Sequence, residues 1–342
     1  MKQHYHARVA ATGLRLPENC YSNSDVIEKI HAARQKAGLE PKELTSDWIE
    51  ERIGIKSRYY FQENESLVDV SVEAVNQALA KAGWQATDLD FVILASISQS
   101  SGNNGSIIPA TACRIQDALK AYNAFAYDML AACSGFLYGM AQGVSFIESG
   151  MAKRGVVICS ECQLPGLNFA DHVSSVLIGD VATATLLEYS EAPEVKSMKL
   201  QSNQGPGTCD IISLPYHRLD QDGHRQSGHF GLQGKSVFKA GIKTMVDLTH
   251  QALQLNGLSH EDVDWFIYHQ ANGAMLRMVG DIVGFSPEKN LMNIDRLANT
   301  TGATIPSVLH MYIENGTISR GDTVCCVGFG GGVTAGNLVF RY

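Results

Sequence analysis

The sequence lacks the features that mark membrane, secreted or nucleic-acid-binding proteins. No apolar stretch approaches the roughly 18 residues of a membrane-spanning helix, and the opening MKQHYHARVAATG has no signal-peptide core. Runs of like charge are absent, and a formal net charge of −8 leaves no excess of Lys and Arg for binding phosphate. We therefore expect a soluble, cytoplasmic protein that binds neither membranes nor nucleic acids.

Disulfide and metal frameworks are also not indicated. Eight cysteines in a 342-residue chain without a secretory signal are typical of reduced thiols. One C-x-x-C, formed by Cys159 and Cys162, follows the apolar run GVVIC, and no second pair stands at zinc-site spacing. We expect most of these cysteines to be small apolar core residues and predict no metal site.

The chain contains two copies of one pattern, which is the most informative feature before any motif is considered. Residues 78–93 (ALAKAGWQATDLDFVI) match residues 252–267 (ALQLNGLSHEDVDWFI). Residues 147–159 (IESGMAKRGVVIC) match residues 313–325 (IENGTISRGDTVC) in the same order. Each copy reads as a helix, a glycine, a polar turn and an apolar strand. The repetition predicts two similar α/β halves, at about 1–190 and 191–342.

The strands are continuous apolar runs, as expected for sheets covered by helices on both faces. A further repeated pair, Ile108–Pro109 and Ile305–Pro306, predicts helices with proline at the first helical position. The segment from 195 to 240 breaks the alternation and is rich in Gly, Asp, His and Gln. We expect loop and short strand there, of the kind that forms lids or tunnel walls.

Three polar residues stand where chemistry is expected. Cys133 lies at a predicted strand-to-helix junction, where a helix N-terminus favours the thiolate, although a buried structural thiol has the same signature. His269 follows the second-half strand DWFIY, in place of Ala95 in the first copy. It suits a site at the carboxyl end of a strand or a satisfied turn. Asn299 precedes the second Ile-Pro helix and suits a site or a cap.

Three consecutive glycines, Gly330 to Gly332, come shortly after the predicted strand TVCCV. Glycines at such a point permit close backbone approach and positive φ. A strand rather than a helix follows, so a phosphate loop lacks its usual context. The alternative is a backbone N–H aimed at a developing oxyanion.

Together these motifs resemble β-ketoacyl-acyl-carrier-protein synthase III and its relatives in the thiolase superfamily. The matching stretches run in the family's order over nearly the whole chain. They include SDWIEERIGIKSR, IPATACRIQDAL, DMLAACSGF, GKSVFKAG, YHQAN, ANTTGATIPS and GFGGGVTAG. The resemblance implies a thiolase fold, with duplicated α/β halves in a five-layered α-β-α-β-α arrangement.

The resemblance also implies an acyltransferase whose nucleophile is Cys133, with His269 and Asn299 completing the site. The backbone N–H groups of Cys133 and Gly331 would form the oxyanion hole. Its implied substrate-binding residues are Trp48, Arg52, Ile108, Asn272, Lys239 and Arg277. Among these, Trp48 and Arg52 match residues at the adenine end of coenzyme A, and Ile108 matches one that reaches into a partner subunit. A homodimer is therefore implied.

The implied reaction is a decarboxylative Claisen condensation. Cys133 would take an acyl group from an acyl-CoA thioester, and a malonyl thioester on acyl carrier protein would lose carbon dioxide. His269 and Asn299 would donate hydrogen bonds to the enolate oxygen. Coenzyme A enters as a substrate thioester, and no cofactor is implied.

The chain departs from the family around the expected entrance. His172 replaces an arginine that contacts the nucleotide, and Ala274 replaces a basic residue of the carrier-protein patch, with Arg277 one turn later. Asp281 and Ile282 stand where lysines are common, whereas Lys239 is kept. These differences favour a specialised enzyme with other acyl donors or another carrier, for a signal molecule or secondary metabolite.

Three rival interpretations explain part of the pattern. A papain-type Cys-His-Asn hydrolase has the same residue order but predicts neither the duplication nor the late glycines. A non-catalytic subunit of the same fold need not keep all three polar residues. A biosynthetic thiolase would carry a second cysteine within the closing glycine segment, and Cys325 and Cys326 precede it.

Overall fold

The computed structural model of the chain describes residues 5–62, 64–99, 108–202, 209–213, 217–219, 225–227 and 231–342. The strands are β1 (His6–Arg15), β2 (Cys20–Ser22), β3 (Ser57–Tyr59), β4 (Phe91–Ala95), β5 (Phe125–Met129), β6 (Arg154–Glu161), β7 (Val181–Ser190), β8 (Val195–Ser202), β9 (Ile212–Ser213), β10 (His217–Leu219), β11 (Arg225–Ser227), β12 (Gly231–Leu232), β13 (Trp265–Tyr268), β14 (Asn290–Leu291), β15 (Thr323–Gly330) and β16 (Thr334–Arg341). The α-helices are α1 (Asn23–Lys36), α2 (Ser46–Ile53), α3 (Leu67–Ala82), α4 (Thr111–Leu119), α5 (Gly135–Glu148), α6 (His172–Ser175), α7 (Gly234–Asn256), α8 (Gly273–Val283), α9 (Ile294–Leu297) and α10 (Thr304–Glu314).

Two five-stranded sheets repeat one topology. The first has the order β1-β7-β6-β4-β5 and the second the corresponding order β8-β16-β15-β13-β14. In the first sheet β4 is parallel to β5 and β6, and β7 is antiparallel to β6 and β1. In the second sheet β13 is parallel to β14 and β15, and β16 is antiparallel to β15 and β8. The predicted duplication of an α/β unit is confirmed.

Helices fill the space between the sheets and cover their outer faces. The central layer contains α5 and α10, whose Phe136, Met140 and Leu309 pack in one core with strands of both sheets. Another core joins α3 and α4 to the first sheet, and a third joins α7 and α8 to the second. Burial of each such side chain contributes about 1.5–3 kcal/mol. The arrangement is the expected five-layered α-β-α-β-α fold.

The repeated Asp-x-Asp has the same structural task in both halves. The carboxylate of Asp90, just before β4, accepts hydrogen bonds from the N–H groups of Lys153 and Arg154 at the start of β6. The carboxylate of Asp264, just before β13, accepts one from Thr323 at the start of β15. Each Asp therefore fixes where the neighbouring central strand begins.

The repeated glycines end helices as predicted, but the first proline does not open one. Gly83 and Gly257 cap α3 and α7 with φ of 69° and 62°, the left-handed region that glycine favours. Pro306 lies in the first turn of α10, where proline is tolerated. The prediction for Pro109 was wrong, because α4 begins at Thr111.

The segment from 195 to 240 is more regular at both ends than expected. Its start forms β8, on the edge of the second sheet, and α7 begins at Gly234. Between them only short strands occur among the described residues, while 203–208, 214–216, 220–224 and 228–230 lie outside the described residues. In the part of the chain that the structure describes, no helix is long and apolar enough to cross a bilayer.

Candidate active site

The nucleophile candidate lies in a tight turn between β5 and the central helix α5. Ala132 has a φ of 46°, and the short 3₁₀ turn Ala132–Ser134 leads directly into α5 at Gly135. The Ser134 hydroxyl donates to the Thr334 carbonyl at 2.9 Å, and the Thr334 hydroxyl donates to the Ala131 carbonyl at 2.9 Å. These two bonds tie the turn to the glycine segment of the second half, so both halves hold Cys133.

Burial favours the protonated form of the Cys133 thiol. Only 6% of Cys133 is exposed, and burial together with the nearby Glu161 carboxyl raises the pKa of its thiol to about 12. Burial thus opposes the thiolate that the helix N-terminus at Cys133 is expected to favour. A proton acceptor is needed for nucleophilic attack.

His269 follows β13 and is 2% exposed. Its Nδ1 atom lies 2.8 Å from the Thr304 hydroxyl, and its ring packs edge-on against Phe329. Burial lowers the pKa of His269 to about 3, so the imidazole is neutral near pH 7. A neutral imidazole can accept a proton from a thiol.

Asn299 is oriented by the loop that carries it. Its backbone N–H donates to the Leu177 carbonyl at 2.8 Å, and its carbonyl accepts from the Gly179 N–H at 3.1 Å. Its side-chain oxygen accepts a hydrogen bond from the Thr301 N–H at 2.9 Å. Because that oxygen is occupied, the side-chain amino group is the end available to a substrate.

The glycine segment presses its backbone against the nucleophile turn. A Cβ atom at Gly330 would lie 2.6 Å from the Cys133 nitrogen, so only glycine allows this approach. Gly331 follows in the 3₁₀ turn Gly331–Val333. The assignment of the Cys133 and Gly331 N–H groups to an oxyanion hole stays a prediction.

The three polar side chains line one pocket. Cys133, His269 and Asn299 share it with mainly apolar walls that include Val237, Phe238, Phe329, Ile212 and Leu232. Its mouth is open to solvent and its walls are mainly apolar, as in sites that bind organic ligands. Ile212 and Leu232 belong to the segment for which tunnel walls were expected.

Residues assigned to substrate binding are divided between the pocket and its rim. Trp48 lines the pocket and is 46% exposed. Asn272 also lines it, but its side-chain oxygen caps α8 by accepting from the Ala274 and Met275 N–H groups. The Asn272 side-chain amino group lies 3.4 Å from the Arg52 carbonyl, which places Arg52 beside this rim.

The other assigned residues are not among those that line the pocket. Arg277 is exposed on α8, one turn after Ala274. Lys239 is exposed on α7, next to Phe238 of the pocket wall. Ile108 precedes α4 and is 80% exposed. His172, the residue found in place of the family's arginine, does line the pocket. Their predicted contacts with substrate or partner stay predictions.

Sequence reasoning missed a buried carboxyl beneath the nucleophile. Glu161 ends β6 and accepts hydrogen bonds from the Ser96 and Ser98 hydroxyls at 3.1 and 2.9 Å. Burial raises its pKa to about 7, against the hydrogen bonds of Thr301 and the serines. A lone acid closing the apolar run GVVICSE was the available signal, since polar residues at the carboxyl ends of strands mark sites.

Five of the eight cysteines are buried, as expected, whereas the absence of a metal site stays a prediction. Cys159 and Cys162 are buried, and the structure has no disulfide among its eight cysteines. Among the described residues, no three His, Cys, Asp or Glu side chains form a group that could hold a metal ion. Any role for a cofactor is untested by this arrangement.

Comparison with known proteins agrees with this geometry. Residues 127–204 match the model of "3-Oxoacyl-[acyl-carrier-protein (ACP)] synthase III", and residues 253–342 match the model of its C-terminal part. A β-ketoacyl-[acyl-carrier-protein] synthase III of Clostridium perfringens is 35% identical over 339 residues, covering 98% of this chain and 99% of the relative. The Chlorobaculum tepidum protein of the same name is 33% identical over 343 residues, with 98% and 99% covered.

The fold agrees as well. A crystal structure of 3-oxoacyl-[acyl-carrier-protein] synthase III from Aquifex aeolicus superposes with a TM-score of 0.83 at 30% identity, covering 98% of this chain and 100% of that one. Full-length identity above 30% and a common fold establish kinship, and the site lies where the two halves meet. The chain belongs to the 3-oxoacyl-[acyl-carrier-protein] synthase III family of condensing acyltransferases.

Proposed function

We propose that the protein transfers an acyl group from an acyl-CoA to Cys133 and condenses it with malonyl-acyl-carrier protein, releasing carbon dioxide and a 3-oxoacyl product. The relatives' name supports the carrier-protein substrate. One observation carries the proposal for this chain: a thiol, a neutral imidazole and an amide with its oxygen occupied line one apolar pocket.

The pocket supplies what each stage needs. His269 can accept the thiol proton while Cys133 attacks the thioester. After decarboxylation the Asn299 amino group can donate to the enolate oxygen, which is charged only then. An amide places no negative charge beside the enolate, and this favours decarboxylation over proton abstraction.

Intact-protein mass spectrometry with a panel of acyl-CoAs from acetyl to dodecanoyl tests the acyl-enzyme. We expect one acyl adduct on the wild-type protein and none on Cys133→Ala. If no donor gives an adduct but acyl-carrier protein does, the acyl-CoA part of the proposal is wrong. If neither donor acylates Cys133, the chain is a non-catalytic member of the fold.

A specialised enzyme is the second candidate. His172 lines the pocket, and α8 exposes Met278 and Ile282, which are 44% and 53% exposed. The neighbouring α7 keeps exposed Lys239. We propose that a longer or unusual acyl donor, or a different carrier, is preferred. Acetyl-CoA as the best donor with the ordinary acyl carrier protein as the best partner would refute this.

We also propose a homodimer. Strand β5 ends the first sheet, and no second strand pairs with it in the ranges that the structure describes. Beside it Tyr122 and Leu130 are 67% and 71% exposed. An exposed sheet edge with apolar neighbours favours association.

We also propose that the protein is cytoplasmic. Fractionation of cells that express the protein tests this location.

A further inference from the structure

Thr304 links the two loops that carry the catalytic candidates. It is the first residue of α10 and is fully buried. Its hydroxyl oxygen lies 2.8 Å from Nδ1 of His269 and 3.0 Å from the Thr301 carbonyl oxygen. Both distances are those of ordinary hydrogen bonds.

The chemistry of these groups constrains where the protons lie. A hydroxyl has one hydrogen, and a carbonyl oxygen can only accept. When the Thr304 hydroxyl donates to Thr301, its lone pairs face His269, and Nδ1 must carry the hydrogen of that contact. The Thr301 carbonyl also faces the ring and raises the pKa of His269, as an acceptor of an imidazole N–H does. The Thr304 hydroxyl oxygen is therefore an acceptor that faces Nδ1.

We propose that Thr304 is a positioning residue that keeps the proton of His269 on Nδ1, which leaves Nε2 free to take the thiol proton of Cys133. The proposal rests on the Cys133 acyl-enzyme of the proposed function. The tautomer of a histidine is set by the partner of its other nitrogen, which is the general reason for this role.

The protons balance through the whole cycle. The Cys133 proton passes to Nε2 as the sulfur–acyl bond forms, and the imidazolium passes it on to the donor's thiolate as that group leaves. As the bond to carbon dioxide breaks, the Asn299 amino group donates to the enolate oxygen. When the enolate carbon attacks the acyl group, the Cys133 sulfur leaves as a thiolate and takes one proton from solvent, which restores the resting thiol.

A buried imidazolium requires compensation, and the structure provides it on the Nδ1 side. The Thr304 oxygen accepts from the Nδ1–H, which stabilises the imidazolium while the proton passes to the leaving thiolate.

Single-turnover acylation of Thr304→Val and Thr304→Ser tests the proposal. Valine keeps the branched shape without the hydroxyl, and serine keeps the hydroxyl. We expect Thr304→Val to slow acylation about 10- to 100-fold, with half-saturation by donor changed less than about threefold. Thr304→Ser should stay within about threefold of wild type. Equal rates for wild type and Thr304→Val would overturn the proposal.

The tautomer can be read directly in the wild-type protein by ¹⁵N NMR with labelled histidine. The His269 signal is identified by its loss in His269→Asn. We expect a protonated Nδ1, and a proton found on Nε2 would refute the assignment even if Thr304→Val does not fold. Failure of the proposed function is distinct: wild-type Cys133 would then accept no acyl group, whatever the tautomer.

Discussion

At the scale of single residues, the side-chain oxygen of Asn299 is already bound by the Thr301 N–H, so the proposal assigns the donor role to its amino group. Asn299→Asp would keep that bond and put a carboxylate oxygen where the amino group stands. We expect decarboxylation and condensation to fall about 100-fold or more, because the enolate would meet a negative charge. Acylation of Cys133 should fall much less.

Carbon dioxide release and the acyl-enzyme mass are measured on the same Asn299→Asp sample. The acylation step is thus the internal control for folding. If condensation and acylation decline together, Asn299 is not specific to the enolate stage.

Glu161 adds to the effect of burial on the Cys133 thiol. Burial, and after it the negative charge of Glu161, raises the pKa of Cys133, and burial raises the pKa of Glu161 itself to about 7. Glu161→Gln removes that charge, so alkylation of Cys133 by iodoacetamide should be several-fold faster than in wild type at pH 8. At pH 5.5 both proteins carry a neutral side chain there, and their rates should agree.

The exposed thiol of Cys20 serves as the control in this alkylation experiment, because peptide mapping reports both cysteines at once. A rate ratio that is the same at pH 5.5 and pH 8 would show that charge at Glu161 is not the cause.

Residues with a motif around them could be predicted, and residues that act through others could not. Cys133, His269 and Asn299 were found from strand ends and resemblance, and the structure places all three in one pocket. Thr304 lies 35 positions from His269 in the chain, and a threonine at a helix start has no distinguishing signal. Its role depends on a contact that only folding creates.

At the scale of elements, the turn that carries Asn299 is strained at its start. Ala298 has φ 58° and ψ −155°, a conformation that only glycine adopts without strain. Ala298→Gly should relieve about 1–3 kcal/mol and cost about 0.5–1 kcal/mol in unfolded-state entropy. We expect a net gain of about 1 kcal/mol in the free energy of unfolding, or roughly 2 °C in melting temperature.

Calorimetry of Ala298→Gly measures this gain, with Lys120→Gly as the matched control. Lys120 has φ 60° and ψ 32°, an ordinary left-handed helix cap, so its replacement should change stability less. A melting temperature lowered by Ala298→Gly would show that the surrounding bonds, rather than strain, dominate at this turn.

Element boundaries followed the sequence where the signal was local. Gly83 and Gly257 end α3 and α7 because a left-handed cap depends on one residue. The start of α4 was missed because its cap is distant in the chain. The Asp128 carboxylate accepts from the N–H groups of Thr111 and Ala112 at 2.9 and 2.7 Å, so the helix begins there rather than at Pro109.

At the scale of the whole molecule, the duplication was visible because each half must form the same sheet. Apolar strands, glycine caps and the paired Asp90 and Asp264 recur at equivalent places and fix equivalent strands. The association of the halves could not be predicted in detail from the sequence. It depends on the packing of α5 against α10 and on bonds such as Ser134 to Thr334.

Buried ionisable groups predict how the stability of the molecule depends on pH. Burial raises the pKa of Glu161 to about 7 and that of Asp180 to about 8. Burial lowers the pKa of His269 to about 3 and that of His310 to about 4. At pH values above the pKa that these carboxyls have in the unfolded chain, they bind more protons in the folded state. The free energy of unfolding therefore falls as pH rises. The two histidines bind fewer protons in the folded state than in the unfolded chain at pH values below their unfolded pKa of about 6.5. In that range they make the free energy of unfolding rise with pH.

The two effects oppose one another between about pH 4.5 and 6.5, and only the carboxyl effect remains from about 6.5 to 8. We expect the melting temperature to be nearly constant in the lower range and to decrease in the upper one. Glu161→Gln should make the upper decrease shallower. A melting temperature that rises from pH 6.5 to 8 in wild type would contradict this account.

The proposed association at the β5 edge would cover the apolar side chains that surround it. Leu130 is 71% exposed at the end of that strand, which is costly for a leucine unless another surface covers it. Leu130→Glu would place a charge in the contact, and we expect light scattering to find a dimer for wild type and a monomer for the variant at micromolar concentration. Leu255→Glu is the matched control, because Leu255 is 61% exposed near the end of α7, away from β5. A dimer that survives Leu130→Glu, or one lost in both variants, would place the contact elsewhere.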